Sequence, residues 1–123
     1  MRLLALGVDY RSAPAGVREA LAFDGPKGPQ GLDALRERFP GNEAVILSTC
    51  NRVEVYLAGD PHAVPESDAL AEFLAEFHGV PSENFVGHLV AYHDEGALGH
   101  LFRVSASLES LVLGEGQILG QVR

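Results

Sequence analysis

Two strand-like segments separated by only three residues constrain the fold of this chain most strongly. Residues 43–48, EAVILS, form an apolar run, and every second residue is apolar in residues 52–58, RVEVYLA. Such segments, rich in β-branched residues, are typical of strands. Between them stands Thr49-Cys50-Asn51, which leaves room only for a tight turn. The sequence therefore predicts two strands that are joined directly at these three residues.

The remaining segments predict two further strands and several helices. Residues 2–10 are expected to form a buried strand and residues 85–92 a fourth strand. Apolar residues recur at helical spacing between the strands, most clearly in residues 70–77, and again after residue 94; Ser12 is expected to cap the first helix. The order β-α-α-β-β-α-β-α predicts an α/β (α+β) fold of the ferredoxin-like split β-α-β kind. It has a four-stranded, mainly antiparallel sheet with helices on one face, followed by a C-terminal helix that looks truncated.

Length and composition are those of one folded domain. The chain has 123 residues, of which 46% are hydrophobic and 21% charged, too apolar a composition for a disordered protein. No apolar run approaches the roughly 20 residues that cross a bilayer, and no signal peptide is visible. We therefore expect a cytoplasmic protein with no membrane partner. Apolar residues at helical spacing continue to the end without a stop signal, so we expect the first domain of a longer protein.

The net charge of −8 is unevenly distributed along the chain. Residues 1–59 contain seven acidic and seven basic residues, whereas residues 60–123 contain ten acidic residues and only two arginines. The second half should repel phosphate groups, which excludes a general nucleic-acid-binding protein. Any contact with nucleic acid has to use the first half of the chain.

The single cysteine, Cys50, lies in the predicted turn, two residues before Arg52. Alternation along an extended chain would place these two residues on one side, where the guanidinium would favour the thiolate and make Cys50 a nucleophile. The other interpretation is that Cys50, which follows an apolar run, is a small buried hydrophobe. One cysteine alone excludes an internal disulfide and a multi-thiolate zinc site.

The rest of the chain offers weaker candidates. His88 and His93 are five residues apart, which matches no helical pair of metal ligands, so no metal site is predicted. His100 lies at the edge of an apolar helix face and is expected to pack rather than to act as an acid or base. The glycines of residues 114–120 do not fit a dinucleotide-binding fingerprint. A helical tail would align one polar stripe that binds a ligand, or faces solvent or a subunit: Ser110, Gly114, Gln117 and Gln121.

Two long segments closely resemble the signature motifs of one family, glutamyl-tRNA reductase, which begins tetrapyrrole (porphyrin) biosynthesis from glutamate. Residues 47–56, LSTCNRVEVY, are similar to the nucleophile motif of the family, and residues 110–123, SLVLGEGQILGQVR, to its second signature. Residues 7–14 and 100–104 are similar to further family segments, so the resemblance covers the whole chain.

The chain departs from the family pattern at three places. The family usually has histidine at the position of Tyr10, Gly-Leu-Asp at residues 107–109, and proline at the position of Gly116. None of them is the cysteine. They bear on the fine positioning of substrate, above all at Gly116, whose backbone freedom would loosen the turn.

The resemblance implies a role for each matched residue. Cys50 would attack the ester carbonyl that joins glutamate to tRNA and hold the glutamyl group as a thioester, which hydride from NADPH would reduce to glutamate-1-semialdehyde. His100 matches a position important for activity and is taken with Cys50 as catalytic. Arg52 suits the substrate carboxylate because its planar guanidinium can pair bidentately, and Glu115 suits the substrate ammonium. The residues that match substrate-binding positions are Thr49, Asn51, Arg52, Ser110, Glu115, Gly116, Gln117 and Gln121.

The resemblance also implies a domain organisation and a set of partners. Residues 1–106 would form the ferredoxin-like catalytic domain, and residues 107–123 the second signature and the start of a connecting helix. The NADPH-binding and dimerisation domains of the family lie outside this chain, so no cofactor-binding residue is expected in it. The implied partners are glutamyl-tRNA, the next pathway enzyme, which would receive the product, and a second copy in the full-length homodimer. The alternative function is a non-catalytic ferredoxin-like binding module in which Cys50 packs in the core.

Overall fold

The predicted order of strands and helices is confirmed in the computed structural model, which describes residues 1–112, with side chains up to residue 106. Two short 3-10 turns precede the last strand. Within this described part, no helix combines the length and hydrophobicity needed to cross a membrane. The elements are β1 (Arg2–Asp9), α1 (Ala15–Leu21), α2 (Lys27–Arg38), β2 (Asn42–Ser48), β3 (Arg52–Gly59), α3 (Ser67–His78), β4 (Val90–His93) and α4 (Glu95–Val112).

The four strands form one sheet in the order β2-β3-β1-β4, and all three neighbouring pairs are antiparallel. β1 and β3 are the central strands. Their register pairs Arg2 with Gly59 at one end of these two strands and Asp9 with Arg52 at the other end. The helices α1 and α2 connect β1 to β2, and α3 connects β3 to β4, which gives the ferredoxin-like arrangement that the sequence predicts.

The first face of the sheet carries the larger apolar core, which it shares with α1, α2 and α3. Alternate residues of the central strands, such as Leu6 in β1 and Val55 in β3, are buried in this core. The same cluster contains Leu21 of α1, Leu35 of α2 and Leu74 of α3. The apolar faces of these three helices therefore explain the burial of one side of the sheet.

The last helix, α4, packs on the opposite face, so the prediction that the helices lie on one face does not extend to it. Ala97 and Val104 of α4 form a second buried cluster with Ala5, Leu47 and Tyr56 of the sheet. Both faces of the central strands are therefore covered, and the first six residues of β3 are all buried.

The last strand is shorter than the sequence pattern predicts. A strand is expected over residues 85–92, but β4 comprises only Val90–His93, and residues 82–84 and 86–88 form 3-10 turns. Phe85, between these turns, is buried in the main core with 1% exposure. The apolar run therefore records core packing as well as strand pairing, and periodicity alone does not separate the two.

The first helix begins after Ser12, which does not cap it as predicted. α1 starts at Ala15, and the capping residue is Pro14, whose fixed φ suits a helix start. The Ser12 hydroxyl instead accepts a hydrogen bond from the Asp9 amide at 3.0 Å. The Asp9 carboxylate in turn accepts from the amides of Arg11 and Ser12, at 2.8 and 2.9 Å. These bonds give the loop after β1 a defined conformation.

Gly7 allows the two central strands to approach closely beneath α4. A Cβ at this position would overlap the carbonyl oxygen of Val53 and would lie 2.8 Å from Cα of Glu54. Both obstacles are backbone atoms of β3, which a side-chain rotation does not relieve. The strand register therefore requires glycine here.

We expect Gly7→Ala to lower the free energy of unfolding by about 2 kcal/mol or more, because the added methyl group forces β1 and β3 apart. Gly16→Ala is the matched control, since a Cβ there meets no atom within 4 Å and alanine favours the helix α1. Urea unfolding followed by circular dichroism measures both variants. Wild-type stability in Gly7→Ala would contradict the close approach of the strands.

Candidate active site

Cys50 lies at the tip of the tight turn between β2 and β3. The Thr49 amide donates to the Arg52 carbonyl at 2.8 Å, which closes the turn and leaves Cys50 and Asn51 exposed between them. The Thr49 hydroxyl oxygen accepts hydrogen bonds from the amides of Asn51 at 3.1 Å and Arg52 at 3.2 Å. Thr49 therefore fixes the backbone of the turn while Cys50 stays open to solvent.

The exposure of Cys50 decides between the two interpretations of the sequence. A cysteine that served the core would be buried, whereas Cys50 is a free and exposed cysteine. The interpretation of Cys50 as a buried hydrophobe, and as core packing in a binding module, is therefore wrong. An exposed thiol is accessible to an electrophile.

The guanidinium of Arg52 turns towards Glu54. Its Nη1 donates to Oε2 of Glu54 at 3.0 Å, and the Arg52 side chain is only 11% exposed. The alternation that was expected to place Arg52 on the same side as Cys50 does not extend to Cys50, because residues 49–51 form a turn rather than an extended strand. Arg52 thus belongs to a buried ion pair.

The cation that contacts the thiol turn is Arg18 of α1, which sequence analysis did not single out. Its Nε donates to the Cys50 carbonyl at 3.2 Å, and its Nη1 donates to the Ala13 carbonyl at 2.7 Å. A groove of about 220 Å³ between α1 and the turn is lined by Arg18, Cys50 and the acidic Glu19 and Asp24. An arginine on a short amphipathic helix usually indicates a solvated side chain, so the sequence carries no signal for this contact.

A buried polar network lies beneath α4 and is centred on Glu54. The Glu54 carboxylate accepts from Nη1 of Arg52 at 3.0 Å, from the Tyr56 hydroxyl at 2.8 Å and from Nε2 of His100 at 2.6 Å. The His100 ring also stacks on Tyr92 of β4, with 4.1 Å between the ring centroids. Two predicted site residues, Arg52 and His100, are therefore linked through one carboxylate. The sequence did contain a signal for part of this network: Arg52, Glu54 and Tyr56 alternate along one strand, which places all three side chains on the same face of the sheet.

The charge on Glu54 fixes the hydrogen positions of its neighbours. An ionised carboxylate only accepts hydrogen bonds, so Nε2 of His100 carries the hydrogen that faces Glu54, and Nδ1 is the remaining ring nitrogen. Burial, reinforced by the charge of Glu54 and the hydrogen bond to it, raises the pKa of the Tyr56 hydroxyl. Tyr56 therefore stays protonated and keeps donating to Glu54.

Several predicted site residues lie beyond residue 106, outside the described side chains. Among the side chains that are described, no group of three or more His, Cys, Asp or Glu residues is arranged to hold a metal ion. The predicted substrate-binding residues outside the described side chains are Ser110, Glu115, Gly116, Gln117 and Gln121.

We expect Glu54→Gln to lower the free energy of unfolding by roughly 2–4 kcal/mol, because it removes the charge that Arg52 and His100 share and leaves both of them buried. Glu76→Gln is the matched control. Glu76 pairs with Arg38 at 3.1 Å on the surface, where removing one charge should cost less than about 1 kcal/mol. Urea unfolding of both variants tests the difference, and equal losses would contradict a buried network.

Comparison with known proteins identifies the family of this chain. The family model described as Glutamyl-tRNAGlu reductase, N-terminal domain, matches residues 6–123. Among curated proteins, the glutamyl-tRNA reductase of Paenibacillus macerans is 43% identical over 123 residues, and that of Synechococcus sp. (strain WH7803) is 45% identical over 124 residues. Each match covers 100% of this chain and 28% of the relative.

A solved structure agrees with these matches. Glutamyl-tRNA Reductase from Methanopyrus kandleri matches this chain with a TM-score of 0.60 and 29% sequence identity, over 98% of this chain and 26% of that chain. The chain therefore spans only about a quarter of the length of its relatives. The resemblance of the two signature segments is confirmed: the chain belongs to the glutamyl-tRNA reductase family, of which it matches the N-terminal domain.

Proposed function

We propose that this chain binds the glutamyl group of glutamyl-tRNA and holds it as a thioester on Cys50. The observation that carries the proposal is the exposed Cys50 at the tip of a turn fixed by Thr49, in a member of this family. The complete protein would reduce glutamyl-tRNA to glutamate-1-semialdehyde with NADPH, which is the first step of tetrapyrrole biosynthesis. Residues 1–106 would be its catalytic domain, and residues 107–123 would begin the connection to the rest.

Cys50 would act as the nucleophile of an acyl transfer. Its thiolate adds to the ester carbonyl carbon and forms the carbon–sulfur bond, after which the carbon–oxygen bond to the terminal ribose of the tRNA breaks. The ribose oxygen leaves with the electron pair of that bond and takes up a proton. The products are a glutamyl thioester and free tRNA. An exposed turn suits this reaction because a substrate as large as tRNA has to approach from outside the fold.

Arg52 would bind the side-chain carboxylate of the glutamyl group. Its Nη1 is engaged by Glu54, whereas its Nη2 makes no hydrogen bond within the part of the chain that is described. Because the ion pair already orients the guanidinium, binding a carboxylate orders little further. Glu54 orients His100 in the same way and leaves Nδ1 to exchange a proton during acyl transfer. The remaining proposed substrate-binding residues are Thr49, Asn51, Ser110, Glu115, Gly116, Gln117 and Gln121.

The described residues do not fit an NADPH site. A dinucleotide site needs a glycine-rich turn that leads from a strand into a helix. Residues 10–14, which connect β1 to α1, and residues 60–66, which connect β3 to α3, contain no glycine, and Asp94 alone connects β4 to α4. We therefore derive no reduction step from them and assign hydride delivery to the rest of the longer protein. The homodimer, the hand-over of product to the next enzyme and a cytoplasmic location are proposed from family membership.

We expect the chain to gain one glutamyl group on incubation with glutamyl-tRNA, and Cys50→Ser to gain none, because an alcohol is not ionised at neutral pH. Intact-mass spectrometry measures the adduct, and circular dichroism checks that the variant folds. A second variant, Ser82→Cys in the Cys50→Ser background, places an exposed thiol elsewhere on the surface. Acylation of that double variant at the wild-type rate would show that any exposed thiol suffices and would refute the proposed site.

We expect this chain, given glutamyl-tRNA and NADPH, to produce no glutamate-1-semialdehyde and at most to release glutamate slowly as water hydrolyses the thioester. The physical reason is that its described residues offer no dinucleotide-binding turn. Consumption of NADPH, followed by absorbance, and trapping of the aldehyde measure the outcome. The full-length glutamyl-tRNA reductase of Paenibacillus macerans serves as the positive control. Semialdehyde formed by this chain alone would contradict the assignment of hydride delivery to the rest of the protein.

A further inference from the structure

An aromatic ring and a guanidinium lie exposed together in the loop that follows β1. Tyr10 is 57% exposed, and the side chain of Arg11 is 69% exposed. The Arg11 guanidinium carbon lies 5.4 Å from the centroid of the Tyr10 ring, within the range of a cation–π contact. Neither side chain is buried in a core, so their two planar groups are available to a partner at the surface.

Tyr10 and Arg11 lie at the same end of the central strands as Cys50. The last pair of the β1–β3 register is Asp9 with Arg52, so Tyr10 follows β1 where the thiol turn precedes β3. Arg18 joins the two segments, because it donates to a backbone carbonyl in each of them. The exposed ring and the thiol therefore belong to two loops that are connected directly.

The loop that carries the pair is held in place from several sides. The Asp9 carboxylate accepts from the amides of Arg11 and Ser12, and Nδ1 of His88 lies 3.0 Å from the Ser12 carbonyl oxygen. The Asp9 carboxylate also lies 3.8 Å from the Arg11 guanidinium. Such a loop presents Tyr10 in a defined position, which lowers the entropic cost of binding a planar partner.

Negative charge limits how an RNA substrate can approach the strand ends beside Cys50. Residues 60–123 carry the whole excess of negative charge, and Glu19 and Asp24 line the groove between α1 and the thiol turn, so phosphate is repelled from both. Arg11 is the exposed cation of the loop after β1. The ester that Cys50 attacks is on the terminal ribose of tRNA, so the terminal base must lie close to the thiol whenever the two react. Unpaired bases bind proteins chiefly by stacking on aromatic rings and guanidinium planes.

We propose that Tyr10 and Arg11 bind the unpaired 3′ end of the tRNA, Tyr10 by stacking on a base and Arg11 by contacting a phosphate. This inference rests on the proposed function, since it assigns the nucleic-acid part of the same substrate. It explains how a chain of net negative charge receives an RNA: the contact is confined to one aromatic and basic loop beside the thiol.

The test compares two donors of the glutamyl group, one attached to tRNA and one without any nucleotide. The second-order rate constant for acylation of Cys50 is measured by intact-mass spectrometry with glutamyl-tRNA and with the α-benzyl thioester of glutamate, which has no nucleotide. We expect Tyr10→Ala to lower the ratio of the two rate constants about tenfold, the effect typical of losing one stacked base. Tyr10→Phe keeps the aromatic face and should keep the wild-type ratio.

Arg11→Ala should also lower the ratio and should make acylation by glutamyl-tRNA less dependent on salt, because one phosphate contact is lost. Arg36→Ala is the matched control, since Arg36 is an exposed arginine of α2, distant in sequence from both loops. It should keep the wild-type ratio and salt dependence. An unchanged ratio in Tyr10→Ala, or an equal fall of both rate constants, would overturn the inference. A wild-type chain that neither donor acylates would refute the proposed function itself.

Discussion

One buried carboxylate connects the sheet to the helix that covers its second face. Glu54 gathers hydrogen bonds from Arg52 and Tyr56 on its own strand and from His100 on α4. Without this carboxylate, the arginine and the histidine would be buried without a partner for their polar atoms, which is costly in a low-dielectric interior. The position of α4 across the sheet and the orientation of two proposed site residues therefore depend on the same group.

The order of strands and helices could be predicted because it follows from the spacing of apolar residues that are near in sequence. The predictions were wrong where this spacing indicates that a residue is buried but not which element it packs against. The turn at residues 49–51 follows from the short distance between two strands. The segment of residues 85–92 is apolar, yet Phe85 is buried in a core rather than paired in the sheet. Likewise, the apolar stripe of α4 has the same spacing whichever face of the sheet it covers, so the sequence does not say that α4 crosses to the second face.

The site divides along the same line between local and distant contacts. Thr49 and Cys50 are neighbours in the chain, so the turn that exposes the thiol could be found from the sequence. Arg18 contacts Cys50 across 32 positions, and His100 contacts Glu54 across 46. No periodicity extends over such separations, and only the folded arrangement of β3, α1 and α4 shows which polar side chains meet. A resemblance to known motifs marks residues without saying how they are held.

The exposure of Cys50 also determines how this protein responds to oxidants. It is the only cysteine of residues 1–123, so no second thiol within them can form a disulfide with it. Within these residues, the oxidation products of Cys50 are a sulfenic acid or a disulfide that joins the turns of two copies. Each such link removes two nucleophiles at once and is reversed only by an external reductant. The openness that admits a large acyl donor therefore makes a reducing environment a condition for the chemistry of this turn.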